Sequence, residues 1–127
     1  MAGKIIADTL EHSTAGSVTT DYVVNGSAKA WINFTTVTTT SDLDSFNIST
    51  LTDNGGSGGD TTSSYTNAMS SNNYASVGLC GEQLTTAAAR IMHIGTKTAS
   101  AIRVHTTTTS AVDDMPENNI VVHGDLA

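Results

Sequence analysis

The segment TDNGGSGGDTTSSY, residues 52–65, holds the pattern in this chain that comes nearest to a known metal-binding motif. Its GGSGGD core fits the opening of a calcium-binding GGxGxD repeat. Such repeats bind calcium as several stacked nonapeptides, and each needs a large apolar residue two positions after the Asp. Here the motif occurs once, and Thr62 stands at that position. The tip of a β-hairpin explains the glycines better, because glycine adopts positive φ at little cost.

The four histidines are the other candidates for metal binding, namely His12, His93, His105 and His123. No two of them have the spacing of an HxH or HExxH motif. The last three lie in strand-like segments, so they could meet across a sheet or at a threefold axis and bind a metal. Packed or surface histidines are the preferred interpretation, and the sequence predicts neither a metal site nor a cofactor site.

The residue types of hydrolytic enzymes are present without their patterns. No GxSxG sequence places a serine on a nucleophile elbow. Asp113, Asp114 and Glu117 surround Pro116 in an acidic turn, for which a solvated loop is the first interpretation and cation binding the second. No pair of carboxylates is marked out for glycoside cleavage. The sequence therefore predicts no enzymatic activity, with a polysaccharide depolymerase as the enzymatic alternative.

The charge of the chain argues against two classes of partner. The net charge is −7, and the five Lys and Arg residues are scattered rather than clustered. Phosphate backbones and anionic membranes both require clustered cations, so we expect no nucleic-acid partner. No apolar run is long enough to span a bilayer, and no secretion signal is visible, so we expect no membrane insertion and synthesis in a cytoplasm. The single cysteine, Cys80, excludes an internal disulfide and is expected to be a buried, inert thiol.

The composition favours an all-β fold. The chain has 22 Thr and 14 Ser, and only 13% of its residues are charged. KAWINFTTV alternates, with Ala30, Ile32 and Phe34 on one face and Trp31, Asn33 and Thr35 on the other. Short strands at regular spacing predict an antiparallel β-sandwich over residues 28–127. The further predicted strands are SFNISTLT, TTSSYTNAM, YASVGLC, AAARIMHIG, SAIRVHTTT and NNIVVHG, joined in part by the connections GTKTA and DDMPENN, with a helical turn as the alternative for AAAR.

Residues 1–27 are predicted to form a short extended arm for attachment. KIIAD suits a short strand, EHSTAGS a polar linker, and TTDYVVNGS a strand that ends at the turn Asn25-Gly26. The sandwich itself has few large apolar residues, so a monomer would be marginally stable. Burial of surface between subunits is a common remedy, and oligomerisation is therefore expected.

An ordered series of motifs resembles a domain that recurs in bacteriophage virion proteins, notably tail-fibre ends and small structural proteins of marine phages. The resemblance covers roughly residues 21–125, and KIIADTLEHSTAG is similar to the short leader of these proteins. It implies a component of the phage particle, a homotrimer, and no catalytic residues. The motifs are KAWINF (29–34), DSFNISTLTDNG (44–55), YTNAM (65–69), NY (73–74), RVHT (103–106) and VVHGD (121–125).

Composition and resemblance together predict a virion protein assembled in the host cytoplasm. We expect a short tail-fibre or fibre-tip module that joins other phage structural proteins through its arm and contacts a host surface glycan or protein. A capsid-decorating protein or a tail adaptor is the alternative. Loop carboxylates and amides could bind sugar hydroxyls; the competing interpretation is that they only form turns. The candidate loop residues are Asp53, Asn54, Asp60, Asn72, Asn73, Asp113, Asp114 and Glu117.

Overall fold

The computed structural model describes residues 6–55, 58–81, 89–108 and 111–127. These residues contain ten strands and one short helix. The elements are β1 (Thr9–His12), β2 (Gly16–Thr19), α1 (Thr20–Gly26), β3 (Ala30–Thr35), β4 (Ser41–Phe46), β5 (Ile48–Asp53), β6 (Asp60–Tyr65), β7 (Ala75–Gly81), β8 (Ile91–Thr98), β9 (Ala101–Thr107) and β10 (Glu117–His123).

Eight of the strands form two four-stranded sheets that pack against each other. Sheet I has the order β4-β3-β10-β7, and sheet II has the order β5-β6-β9-β8. Every neighbouring pair in both sheets is antiparallel. The strands β1 and β2 form a separate hairpin. The predicted all-β, antiparallel sandwich is therefore confirmed.

The core lies between the sheets and is partly made of hydroxyl residues. Ala30, Ile32 and Phe34 of β3 are buried, as their alternation predicts. Sheet II contributes Ile102 and Val104 to the same cluster. Its other inward residues include Thr61, Ser63 and Thr106, which are also buried. The cluster is completed by Tyr65, Met69, Tyr74, Ile120 and Val122.

The sequence predicts a single strand over SFNISTLT, and this prediction is wrong. It divides at Asn47 into the end of β4, in sheet I, and the start of β5, in sheet II. Asn47 adopts φ 58, which turns the chain from one sheet to the other. Its side chain holds this corner by donating to the carbonyl of Lys29 (2.9 Å) and accepting from the amide of Asn67 (2.7 Å). Phe46, in sheet I, is exposed, whereas Ile48, in sheet II, packs against the core.

The predicted extended arm is folded locally. TTDYVVNGS forms α1 instead of a strand, and EHSTAGS forms most of the β1–β2 hairpin instead of a linker. Asp21 lies in the first turn of α1, where its negative charge interacts favourably with the helix dipole. At the other end, the Lys29 ammonium donates to the carbonyls of Val24 and Ser27. These end contacts favour a helix over the strand that the β-branched valines suggest. KIIAD lies partly outside the described residues, and its described part precedes the first strand.

Two strand boundaries also differ from the predicted ones. GTKTA is predicted to be a connection, but most of it is strand, because β8 continues through Thr98. The chain then turns at Ala99-Ser100 and enters β9. Lys97, near the end of β8, donates to the carbonyl of Tyr74 (2.8 Å), and its Nζ lies 5.0 Å from the centre of the Tyr74 ring. The strand predicted at TTSSYTNAM ends at Tyr65. AAAR lies partly outside the described residues, and β8 begins at Ile91 directly after it.

Candidate interaction surfaces

A row of apolar side chains crosses the outer face of sheet I. Phe46 is paired with Trp31, Trp31 with Val121, and Val121 with Val77. Directly paired residues of an antiparallel sheet lie side by side on the same face, so these four side chains, here called the apolar row, are contiguous across all four strands. Phe46 is 54% exposed and Val77 is 59% exposed. Leu79 on the next row of β7 is 72% exposed and extends the patch.

An open groove joins the apolar row at Phe46. It has a volume of about 590 Å³ and separates α1 from the end of the sandwich. Val23, Val24 and Leu126 supply apolar walls, and each of them is substantially exposed. A continuous apolar surface therefore runs from the helix, along this groove, and over sheet I.

The outer face of sheet II is mostly polar. Hydroxyl residues surround Arg103 on this face, and a neighbouring row consists of three titratable residues. Arg103 is paired with Thr62 on one side and Thr96 on the other. The remaining outward residues in register are Thr50, Thr52, Ser64, Ala101, Thr98, Thr107 and Ile91, and the titratable row is Asp60, His105 and His93. Of these, Ile91 is an apolar residue and is 45% exposed.

Asp60 is held by partners within the chain. It accepts hydrogen bonds from Arg103 Nε (2.8 Å) and from Asn54 Nδ2 (2.9 Å), and His105 Nδ1 lies 3.8 Å from its Oδ1. The hydrogen bond from Arg103 is the main reason why the pKa of Asp60 falls to about 2. The Asp of the GGxGxD pattern is thus a partner of an arginine, which makes it a poor candidate for calcium.

The glycine-rich segment, of which residues 56 and 57 lie outside the described residues, joins the two strands of a hairpin, as expected. β5 and β6 are paired from Asp53 and Thr61 inwards. Gly59 has φ 65, and its amide donates to Asp114 Oδ1 (2.8 Å). A Cβ at Gly59 would lie 2.2 Å from Thr106 Oγ1 and 2.4 Å from the carbonyl of Asp113. The glycine is required because the backbone of the tip approaches the 111–116 loop this closely.

The structure divides the eight predicted loop residues between the two ends of the sandwich. Asp53, Asn54, Asp60, Asp113, Asp114 and Glu117 lie at the end with the hairpin tip, and Asn72 and Asn73 lie at the other end, beside Gly124 and Asp125.

Several of these side chains hydrogen-bond within the chain, some across a turn and some to residues distant in sequence. Asp53 accepts from Thr40 Oγ1 (2.9 Å) and from the amide of Gly55 (2.8 Å). Asp113 Oδ1 accepts from the amide of Asp114 (3.0 Å). These contacts occupy several of the groups predicted to bind sugars, while the residues themselves remain exposed.

The three histidines of the predicted strands, His93, His105 and His123, do not all meet within one chain. His93 and His105 are a directly opposed pair on the outer face of sheet II, whereas His123 lies on β10 in sheet I. His93 Nε2 lies 3.1 Å from Thr107 Oγ1. In the part of the chain that the structure describes, no three His, Cys, Asp or Glu residues are arranged to hold a metal. Cys80 is half-buried on β7, and burial raises the pKa of its thiol.

Comparison with family models, with curated proteins and with solved structures finds no match to this chain. Its one described helix, α1, has seven residues, and among the described residues no helix is long and apolar enough to cross a membrane. The surfaces therefore have to be interpreted from their own chemistry. Sequence reasoning missed the apolar row, although the alternation of KAWINF did place Trp31 opposite the core face.

Proposed function

We propose that the protein is a structural component of a bacteriophage virion and that it binds neighbouring particle proteins through the outer face of sheet I. The apolar row is the observation that carries the proposal. Contiguous exposed apolar patches on small proteins commonly mark interaction sites. The resemblance of the sequence motifs to phage virion proteins supplies the particular setting.

The energetics of the core support an assembled state. The hydroxyls of Thr61 and Ser63 are buried and have no hydrogen-bond partner among the described residues. Each such group costs about 1–3 kcal/mol, so the sandwich has a weak interior. Complete burial of a Phe, Val or Leu side chain contributes about 1.5–3 kcal/mol. Covering Phe46, Val77 and Leu79 with a neighbour would offset that weakness.

In the fibre-tip form of this proposal, the hairpin tip and the 111–116 loop face the host. Asp53, Asn54 and Asp113 are exposed at that end. Their carboxylates and amide can accept and donate hydrogen bonds to a host glycan or protein while remaining part of ordered turns. Sheet I lies along the side of the sandwich, so the same molecule can be attached and can present its loops.

A capsid-decorating protein or tail adaptor is the second candidate. It is favoured by the position of the apolar row on a broad sheet face, which suits flat docking onto a shell. The number of copies is a separate expectation, for which the sequence resemblance implies three. Both forms share the docking surface and differ in where the protein sits.

The test is to image intact particles that carry a tagged copy of the chain. Density on the tail tip supports the fibre role, density on the head supports decoration, and absence from purified particles contradicts both. A Phe46→Ser, Val121→Ser variant should be depleted from particles at least tenfold. Thr62→Ala, Thr96→Ala on the outer face of sheet II is the matched control and should be incorporated normally.

A further inference from the structure

The two sheets have four edge strands, and three of them are protected against pairing with another chain. In β4, β5 and β8 the register shifts by one residue, which leaves one extra residue in each strand. Such bulges twist an edge away from a partner strand, and charged side chains on an edge oppose pairing further. Each of these strands also carries charge, with two aspartates on β4, Asp53 on β5 and Lys97 on β8.

The fourth edge, β7, lacks both forms of protection. It pairs with β10 through seven consecutive residues with no shift of register. Its sequence, ASVGLCG, contains no charged residue and no proline. Its outward side chains Val77 and Leu79 are 59% and 72% exposed. β7 ends the strand order of sheet I, and among the described residues no further strand pairs with its free side. A straight, uncharged and apolar edge is a template for another strand.

We propose that β7 pairs with β7 of a second copy of this chain, antiparallel, across a twofold axis perpendicular to sheet I. The distribution of charge favours β7 over the other three edges for this contact. Two copies with a net charge of −7 repel each other, and the repulsion at the contact is smallest where the paired strands carry no charge. Self-pairing of β4 would instead bring Asp42 and Asp44 of the two copies together, which is destabilising.

The register of the pair follows from the strand itself. Outward residues must remain outward in both copies, so only residues of the same parity can face each other. Placing Gly78 opposite Gly78 of the second copy is the one such register that pairs all seven residues of β7. Val77 then lies beside Leu79 of the second copy, and the reverse contact repeats across the axis. The apolar rows of the two copies join into one surface that spans eight strands.

The proposal does not depend on the virion function, since it concerns the oligomeric state of the isolated chain, and it replaces the three copies that the sequence resemblance implies with an even number. It is tested on the full-length protein by size-exclusion chromatography with light scattering over a hundredfold range of concentration. We expect two chains per particle, or an even multiple, dissociating on dilution. A stable monomer or a discrete trimer overturns the pairing.

Two variants distinguish pairing through the β7 edge from non-specific association. Leu79→Lys places like charges close to each other at the twofold axis and should shift the species to a single chain, or raise the dissociation constant at least tenfold. Leu43→Lys is the matched control, because Leu43 is 59% exposed on β4 at the opposite edge of sheet I, and it should leave the mass unchanged. Equal effects of the two variants contradict the proposal.

Hydrogen exchange supplies a second measurement that does not depend on a substitution. On dilution from the assembled to the dissociated state, alternate amides within residues 75–81 should exchange at least tenfold faster, while the amides of β4 should not change. Protection that stays constant on dilution overturns the proposal. Circular dichroism of both variants checks that each is folded.

Discussion

The two outer faces of the sandwich differ in where their side chains find partners. On sheet II the carboxylate of Asp60 is bonded to Arg103 and Asn54, so the strongest polar groups are satisfied within the chain. On sheet I, by contrast, the apolar side chains of Phe46 and Val77 remain exposed to solvent. A change on sheet II or its loops should therefore reduce the stability of the monomer, whereas a change on the outer face of sheet I should reduce assembly.

The largest effect on stability is expected at Phe34, which we compare with Phe46 on the opposite face of sheet I. Phe34 is fully buried, so Phe34→Ala should lower the unfolding free energy by about 3–5 kcal/mol. Phe46 is 54% exposed, so Phe46→Ala should lower it by less than about 1 kcal/mol and weaken assembly instead. Urea unfolding at low protein concentration measures the first quantity. Equal losses of monomer stability would show that the outer face is an ordinary part of the fold.

A smaller loss of stability is expected at the hairpin tip of sheet II. Gly59→Ala should lower the unfolding free energy by about 2–4 kcal/mol, because the Cβ meets Thr106 and Asp113 at a positive φ. Gly55→Ala is the control, since Gly55 also has positive φ but has no atom within 4 Å of the added Cβ. It should cost about 1 kcal/mol. Thermal unfolding distinguishes the two, and a harmless Gly59→Ala contradicts the close approach.

The acid dependence of stability tests the ion pair on sheet II. The pKa of Asp60 is lowered from 3.8 to about 2, so its contribution is present above pH 3.8 and is lost as the pH falls towards 2. The contribution is on the order of 1 kcal/mol, since the side chain of Arg103 is 44% exposed to solvent.

Asp60→Asn should remove this part of the acid dependence, as measured by urea midpoints at pH 2, 3 and 5. Asp44→Asn on sheet I removes the same charge, but no salt bridge of Asp44 is found among the described residues. It should leave that part of the profile unchanged. A parallel shift in both variants would mean that net charge, and not the Asp60–Arg103 pair, sets the acid dependence.

The smallest effect on stability is expected from placing a hydroxyl residue on the outer face of sheet I and an apolar residue on that of sheet II. Val77→Thr keeps the shape of the side chain and should change the unfolding free energy by no more than about 0.5 kcal/mol. It should nonetheless weaken association severalfold, measured by sedimentation equilibrium. Thr96→Val adds an apolar group to the outer face of sheet II and should leave association unchanged. Association that responds equally to both would remove the distinction between the faces.

Much of the fold was predictable because it rests on local pattern. The alternation from Ala30 to Thr35 gave β3 and its buried side, and the glycines after Asn54 gave the hairpin tip. Predictions failed where a single residue changes the direction of the chain. Asn47 moves the chain between sheets in one step, and its two side-chain partners are distant in sequence. The helix α1 was missed because a residue beyond its end stabilises it, with the Lys29 ammonium donating to the carbonyl of Val24.

The candidate loop residues were predictable as turn formers, and their grouping was not. Nothing local to Asn72 and Asn73 places them at the end opposite Asp113 and Asp114, because that separation depends on which strands connect at each end. The apolar row was hidden for the same reason. Phe46, Trp31, Val121 and Val77 are spread over most of the chain and become neighbours only through three strand registers.

The sequence by itself determined that this protein is built of antiparallel strands with a thin interior, because alternation and a shortage of large apolar residues act through local propensity and total buried area. Only the tertiary structure decided that Phe46, Trp31, Val121 and Val77 form one row on sheet I and that β7 is an edge strand of that sheet without a bulge or a charge. Strand order and register are properties of distant pairs, so no local pattern contains them.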